Sequence, residues 1–180
     1  MKKKNVIAVL FMVLMIVIAI PTGMLHSIDD LRSEHEGSHN AVSQGLNTRA
    51  DTAQNLVTIA EKYVDQDLNL ETCIDWVDYY TQESINQDTE HFTKEVKEAN
   101  TRLTDAVQEL YDELKKVELS EKDQDYPDQL LALMKSEQDK IERSSYNDDA
   151  REFNQLIRNF PLNLVSIFGI EDMVTFDEAE

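Results

Sequence analysis

Apolar residues recur every three or four positions along most of this chain, which is the spacing of one face of an α-helix. The first stripe of such residues predicts a long helix, and the same face continues after an irregularity at 65–67. Arg49 is the one charged residue on this face. The stripe comprises Val42, Leu46, Arg49, Ala53, Leu56, Ala60 and Tyr63, then Leu70, Ile74 and Val77.

Two further stripes predict two more long helices. The second is the most regular, as expected for antiparallel packing in a bundle, and comprises Phe92, Val96, Ala99, Leu103, Ala106, Leu110, Leu114 and Val117. After a charged loop at 118–127, the third predicts one helix over 130–160, through Leu133, Met134, Ile141, Phe153, Leu156 and Ile157. Between Ile141 and Phe153 its face is polar, and we expect that stretch to cross a wet gap or to overhang the bundle. Pro161 ends the helix because it lacks an amide donor.

The predicted fold class is therefore all-α. Only four glycines and three prolines interrupt the 180 residues. We predict an N-terminal transmembrane helix followed by an antiparallel helical bundle of long helices. The predicted parts are a short cytoplasmic N-terminus at 1–5, the transmembrane helix at 6–25, the bundle at 26–160, and an apolar and then acidic tail at 161–180.

The transmembrane prediction depends on Lys2, Lys3 and Lys4, which precede an uninterrupted apolar run at 6–20. As a helix this run rises only about 22 Å, short of the roughly 30 Å hydrocarbon core, but 21–25 add length without charge. Because positive residues stay on the cytoplasmic side, we expect the rest of the chain to lie outside the cytoplasm, at the cell membrane. The alternative is a cleaved signal peptide, for which 19–24 supply only a poor cleavage site.

Net charge and cysteine count narrow the classes of partner. The chain carries −19, and from Met24 onward 14 basic residues face 36 acidic ones. Such a domain is repelled by phosphates, so we expect no nucleic-acid partner. Cys73 is the only cysteine, which excludes an intramolecular disulfide and favours a small buried side chain over a reactive thiol.

One short motif has the pattern of a zinc peptidase. Residues 35–39 read HEGSH, in which two imidazoles lie one helical turn apart with a glutamate base beside them. Gly37 and Ser38 weaken that helix, and the motif lies close to the predicted membrane segment. We therefore interpret it as a helix face rather than a metal site.

Two other metal patterns are incomplete. A di-iron site would pair Glu36 and His39 with Asp88 and His91, where the aspartate is a poor substitute for glutamate. An alternating acidic run resembles the start of a calcium loop but has tyrosine where the sharp turn needs glycine: Glu121, Asp123 and Asp125. We assign no catalytic residue, metal ligand or cofactor, and we predict that the chain is not an enzyme.

Several segments resemble the LemA family of bacterial membrane proteins. In the early segment, 31–63, the matching residues are Arg49, Asp51, Asn55, Leu56, Val57 and Tyr63. The late segment is more specific: Tyr146-Asn147, the run FNQLIRNFP at 153–161, Asn163-Leu164 and Phe168-Gly169. Residues 126–128 and 176–180 are similar to further family patterns. The chain departs from the family at Gln54, where proline is usual, and at His39, where tryptophan is usual.

The resemblance implies an anchored antiparallel helical bundle, without an established enzymatic activity, that acts as a scaffold or adaptor at the cell envelope. Its partners would be the lipid bilayer, through 6–25, and an unidentified protein; the oligomeric state stays open. The interaction surface that we predict ends the last helix, where its residues could instead cap the helix and dock the tail: Asn154, Arg158, Phe160, Pro161 and Asn163. The alternatives are a ligand-sensing ectodomain that works through a partner and a zinc-dependent peptidase that uses HEGSH.

Overall fold

The computed structural model of the chain describes Gly23 and residues 36–85, 92–159 and 172–177. Within these residues the α-helices, numbered in chain order, are α1 (Glu36–Ala60), α2 (Asn69–Ser84), α3 (Lys94–Leu114), α4 (Tyr126–Glu142) and α5 (Ser145–Arg158). A 3-10 turn, Glu61–Tyr63, extends α1. The described ranges contain no strand, which confirms the all-α fold class for them.

Two pairs of side-chain contacts show how α1 and α4 run. Arg49 donates to the carbonyl of Met134 at 2.7 Å, and Tyr63, beyond the end of α1, donates to Asp123 at 2.8 Å, ahead of α4. Positions that rise along α1 therefore meet positions that fall towards the start of α4. The two helices are antiparallel.

The other helices alternate in direction in the same way. Arg49 also contacts Asn100, while Tyr63 accepts from the amide of Ser120, so α3 is parallel to α1. The turn after α1 brings α2 back along it, and Gln54 donates to Asp78 at 2.8 Å. The helices α1 to α4 thus form an up-down-up-down bundle, which confirms the predicted helical bundle in this part of the chain.

The predicted stripes form the core. All seven members of the first stripe up to Tyr63 are buried, and so are those of the second stripe except Val117, which is partly buried. One core cluster joins the second half of α1 with α2, α3 and α4 around Leu56, Leu70, Leu103 and Leu110. A second cluster lies around the first half of α1 and includes Val42, Leu46, Val96, Ile141 and Ala150.

The single third helix predicted over 130–160 is wrong, because the chain forms α4 and α5 instead. Ser144 adopts an extended conformation (φ −66°, ψ 140°), and its hydroxyl accepts from the amide of Tyr146 at 3.2 Å. This is a helix N-cap, so a new helix starts here. The break places Tyr146 and Ala150 in the core, although the polar face between Ile141 and Phe153 predicts a wet gap or an overhang there.

A buried asparagine secures the same break from the other side. The side-chain amide of Asn147 donates to the carbonyls of Ile141 at 2.9 Å and Glu142 at 3.0 Å, at the end of α4. The last turn of an α-helix leaves its carbonyls without donors from a following turn, and Asn147 supplies a donor here. The carbonyl of Ile141 also accepts from the amide of Ser144 at 3.2 Å. Asn147 thus ends one helix while it lies in the first turn of the next.

No helix in the described ranges combines the length and the apolar character needed to cross a membrane. The predicted transmembrane helix at 6–25 lies outside the described residues except for Gly23, and of the predicted tail at 161–180 only 172–177 are described. The described helices fall within the predicted bundle at 26–160. The boundaries at 1–5, 6–25 and 161–180 stay predictions.

Candidate functional site

The predicted interaction surface lies where α5 meets the C-terminal segment, residues 172–177. The side-chain amide of Asn154 donates to the carbonyl of Met173 at 2.9 Å, and the amide of Met173 donates back to Asn154 Oδ1 at 2.7 Å. Arg158, in the last turn of α5, forms an ion pair with Asp172. Both described members of the predicted surface therefore hold the C-terminal segment against α5.

The remaining three members, Phe160, Pro161 and Asn163, lie outside the described residues. For Asn154 and Arg158 the structure shows an intramolecular role, because both hold the C-terminal segment against α5. The contact of all five residues with another protein stays a prediction.

Phe176 anchors the C-terminal segment in the second core cluster. Its side chain is only 5% exposed and meets the ring of Phe92 edge-on at 5.1 Å between centroids. Its backbone amide donates to the buried Oδ1 of Asn147 at 2.8 Å. Arg151 of α5 adds an ion pair to Asp177. Phe176 is thus part of the core, and Met173 and Val174 pack against the same cluster while partly buried.

The described part of the HEGSH motif takes part in packing. His39 stacks on Phe92 with 4.3 Å between ring centroids, and Ser38 donates to Asp149 of α5 at 2.6 Å. His35 lies outside the described residues. Among the residues that are described, no three His, Cys, Asp or Glu side chains are grouped so as to hold a metal ion. The described residues of the motif thus join α1 to Phe92, which precedes α3, and to α5.

Arg49 lies in the middle of the bundle, 1% exposed, and is bound from α3 and α4. Its Nε donates to Asn100 Oδ1 at 2.8 Å, Nη1 to the carbonyl of Met134 at 2.7 Å and Nη2 to Thr104 Oγ1 at 2.7 Å. A planar guanidinium with donors in several directions can link three helices at once, which a lysine could not do equally well. The charged residue on the first stripe is therefore a buried cross-link.

The network then leads from the guanidinium to the surface. Asn100 donates to Gln138 Oε1 at 3.0 Å, and Gln138 donates to Glu142 Oε1 at 2.7 Å. Each amide turns its oxygen towards the cation and its nitrogen towards the carboxylate, so their dipoles connect opposite charges favourably. Burial lowers the pKa of Arg49 to about 10, while the negative charges of Glu142 and Glu137 oppose that shift. Arg49 therefore stays charged at neutral pH.

A second polar cross-link lies at the end of the bundle where α1 finishes and α4 begins. Asp123, in the loop before α4, accepts from Tyr63 at 2.8 Å, from Ser120 Oγ at 3.0 Å and from Lys62 at 3.1 Å. The hydrogen bond from Tyr63, followed by that from Lys62, lowers the pKa of Asp123. Within the acidic run that resembled a calcium loop, this carboxylate is engaged by the protein's own donors.

A comparison with known protein families shows which family this chain belongs to. The model of the LemA family matches residues 38–180, which is most of the chain. This chain belongs to the LemA family. Comparisons with curated proteins and with solved structures found no match. The match includes every described helix position from Ser38 onward. LemA is not known as a family of enzymes.

The bundle of this LemA chain also carries an aromatic cluster that the sequence analysis missed. We define the α2 aromatic surface as Trp76, Tyr79 and Tyr80; the first two are 50% and 54% exposed. All three rings touch, at centroid distances of 5.1 to 6.4 Å. Trp76 and Tyr79 lie away from the buried stripe of α2, while Tyr80 is partly buried and packs against the first core cluster. The buried stripe contains Leu70, Cys73, Ile74, Val77, Thr81 and Ser84.

A sequence signal for this surface did exist. Residues 74–80 read IDWVDYY, where three aromatic residues at i, i+3 and i+4 are close enough to touch, and the first two lie away from the buried stripe. The neighbouring stripe member Cys73 behaves as predicted, as a small buried residue. Burial, followed by nearby carboxylates of Glu109 and Glu113, raises the pKa of its thiol to about 11. Little reactive thiolate therefore forms at neutral pH.

Proposed function

We propose that this LemA chain is a membrane-anchored, non-enzymatic scaffold or adaptor that works by protein–protein contact at the cell envelope. The observation that carries the proposal is the α2 aromatic surface. Tryptophan and tyrosine dominate the energetics of protein interfaces, because they bury a large rigid area and lose little side-chain entropy on binding. Three such rings in contact, two of them half exposed, are suited to receive a partner.

The anchor in this proposal is the apolar run at 6–20, extended to 25, with the three lysines on the cytoplasmic side. The acidic bundle would then lie outside the cytoplasm, tethered within reach of other envelope proteins. The charge imbalance beyond the anchor supports this arrangement, since 36 acidic residues disfavour adsorption onto an anionic lipid surface. The bundle is therefore held near the membrane and repelled from its headgroups.

The internal cross-links support an adaptor that presents a preformed surface. Arg49 ties α1 to α3 and α4, and Asp123 ties the end of α1 to the loop before α4. A surface that is already ordered pays less conformational entropy on binding.

A ligand-sensing ectodomain is the second candidate, and a cavity beside the buried Arg49, between α3 and α4, is one place where its ligand could lie. Arg49, Thr104 and Gln138 are among the lining residues, and the volume is about 110 Å³. Ligand pockets for drug-sized molecules usually hold about 300–1,000 Å³. This cavity suits only a few water molecules, but a larger one of about 440 Å³ lies between α1 and α4, beside Gly45 and Ile141. Cavity size therefore does not decide between the two candidates, and we favour the adaptor because of the α2 aromatic surface.

Site-specific photo-crosslinking in intact cells tests the adaptor proposal. A photoreactive residue at position 79 of the full-length chain should form a discrete adduct with an envelope protein. The matched control is position 126, because Tyr126 is 48% exposed and lies at the start of α4. Adducts that form equally from both positions, or from neither, would contradict the proposal. Protease digestion of whole cells, before and after permeabilisation, checks the predicted orientation.

A further inference from the structure

We infer that the α2 aromatic surface binds a basic, arginine-containing segment of its partner protein. This inference rests on the proposed function, since it names the chemistry of the partner that an adaptor would hold. Three observations lead to it: the arrangement of the rings, the acidic groove beside them and the negative charge of α2.

The rings form a continuous aromatic surface. Trp76 stacks on Tyr80, with 5.8 Å between the ring centroids and an interplanar angle of 17°. Tyr79 meets both rings edge-on, with its centroid 5.1 Å from that of Tyr80 and 6.4 Å from that of Trp76. Trp76 and Tyr79 remain half exposed despite these contacts. Exposed indole and phenol rings attract cations through their π faces, and tryptophan does so best.

A groove of about 390 Å³ lies beside the surface, between α2 and α3. It is lined by Tyr79, Tyr80, Glu83, Glu95, Glu98 and Arg102, among others. Arg102 lies 3.7 Å from Glu98 and forms an ion pair with it, so the other two carboxylates leave the groove acidic. Aromatic rings and carboxylates thus lie side by side, so that one cation can interact with both.

The charge of α2 extends the same preference. The helix contains Glu71, Asp75, Asp78 and Glu83, and it has no basic residue. A second copy of this chain would bring the same four carboxylates against these, so self-association through this face is disfavoured. Nucleic acid and anionic lipid are disfavoured for the same reason. Positive charge on the partner is what complements this surface.

Arginine fits the surface better than lysine. Its planar guanidinium can stack on an aromatic ring while its donors bind a carboxylate in a forked geometry. A lysine ammonium is a point charge that is more strongly hydrated, and it gains less from an exposed ring. The partner segment should therefore prefer arginine to lysine at equal charge.

Trp76 is the only tryptophan of the chain and reports directly on this site. The full-length protein, held in an uncharged detergent, is titrated with a capped oligo-arginine peptide while tryptophan emission is followed. We expect a saturable change that weakens as salt is added, because exposed charges are screened. Oligo-lysine of equal length should bind more weakly, and oligo-glutamate should leave the emission unchanged.

Two matched pairs of variants locate the binding. The triple variant Glu83→Gln, Glu95→Gln, Glu98→Gln should weaken binding about tenfold. A control with the same change in net charge, Glu118→Gln, Glu121→Gln, Asp125→Asn, should bind almost as the wild type does. Tyr79→Ala should weaken binding about threefold to fivefold, whereas Tyr126→Ala should not. Circular dichroism of each variant confirms that the helices are intact.

Equal losses from both triple variants would overturn the inference, because binding would then follow net charge alone. So would an unchanged Trp76 emission at saturating oligo-arginine, or self-association that Tyr79→Ala abolishes. A photo-crosslinked partner that lacks a basic segment would overturn this inference and leave the adaptor proposal standing. Site-dependent peptide binding without any adduct in cells would instead count against the adaptor proposal.

Discussion

Arg49 and Trp76 reverse the usual distribution of polar and apolar side chains. The arginine is buried in the centre of the bundle, while the only tryptophan is half exposed on the outer face of α2. The buried charge is fully engaged with neighbouring helices, and a buried polar group is tolerable only when it is so engaged. Trp76 and Tyr79 contact each other and the partly buried Tyr80, and both remain half exposed. The difference separates a side chain that holds the fold from side chains that are available to a partner.

The largest effect should come from Arg49→Ala. The change leaves Asn100 and Thr104 without their donor in the core and opens a cavity, so we expect unfolding to become easier by about 3–5 kcal/mol. Urea denaturation followed by circular dichroism measures this. Arg49→Lys keeps the charge but not the forked geometry, so its free energy of unfolding should lie between those of the wild type and Arg49→Ala. A wild-type midpoint for Arg49→Ala would mean that the network does not stabilise the bundle.

Phe176→Ala should have the next largest effect, because Phe176 is the core residue of the C-terminal segment. We expect a loss of about 2 kcal/mol, below the usual cost for a core phenylalanine, since the freed segment regains conformational entropy. Cleavage of the C-terminus by carboxypeptidase should also become faster. Val174→Ala, at a partly buried residue of the same segment, serves as the control. Unchanged cleavage would show that Asn154 and Arg158 suffice to hold the segment.

Two glycines of α1 test how tightly the buried face is packed. A Cβ at Gly45 would lie 2.8 Å from Ile141 Cγ1, whereas one at Gly37 meets nothing within 4 Å. Gly45→Ala should therefore destabilise the bundle by about 1–2 kcal/mol, despite the better helix propensity of alanine. Gly37→Ala should be neutral or slightly stabilising. Thermal unfolding of the two variants side by side measures the contrast, and equal shifts would contradict the close approach of α1 and α4.

The cross-link at Asp123 should show itself in the pH dependence of stability. The pKa of this carboxyl lies below its ordinary value of 3.8 in the folded chain, chiefly because of Tyr63 and Lys62. Its contribution is therefore present above that value and is lost as pH falls through the lower, folded pKa. Asp123→Asn should lower the denaturation midpoint at neutral pH, and its difference from wild type should shrink in acid. A difference that is constant with pH would rule out this carboxylate as the titrating group.

The smallest effect on stability should come from the surface side of the comparison. Trp76→Phe should change the free energy of unfolding by no more than about 0.5 kcal/mol, because the ring is half exposed and touches only Tyr79 and Tyr80 in the aromatic cluster. The same denaturation experiment as for Arg49→Ala measures it, with circular dichroism in place of fluorescence. A loss as large as that of Arg49→Ala would make the α2 aromatic surface a structural element rather than a docking surface.

The sequence by itself determined that the chain is helical and which residues of the first two stripes face the core. Helical periodicity depends only on residues that are close in the sequence, so the stripes through Leu46 and Leu103 could be read directly. The family pattern around Asn154 could also be read directly, because it depends on the identity of consecutive residues. The break at Ser144 was missed although a serine N-cap is a local signal, because the apolar positions on both sides of it suggested one continuous helix.

Only the tertiary structure decided what Arg49, Asn154 and Trp76 do. The partners of Arg49 lie 51 to 85 positions away, on helices whose register depends on how whole faces pack. Asn154 binds a segment that returns to α5 from 19 residues further on. Trp76 stays exposed because the other elements cover the opposite side of α2. A stripe shows which side chains prefer to leave water, but the packing of distant segments determines which of them find a partner.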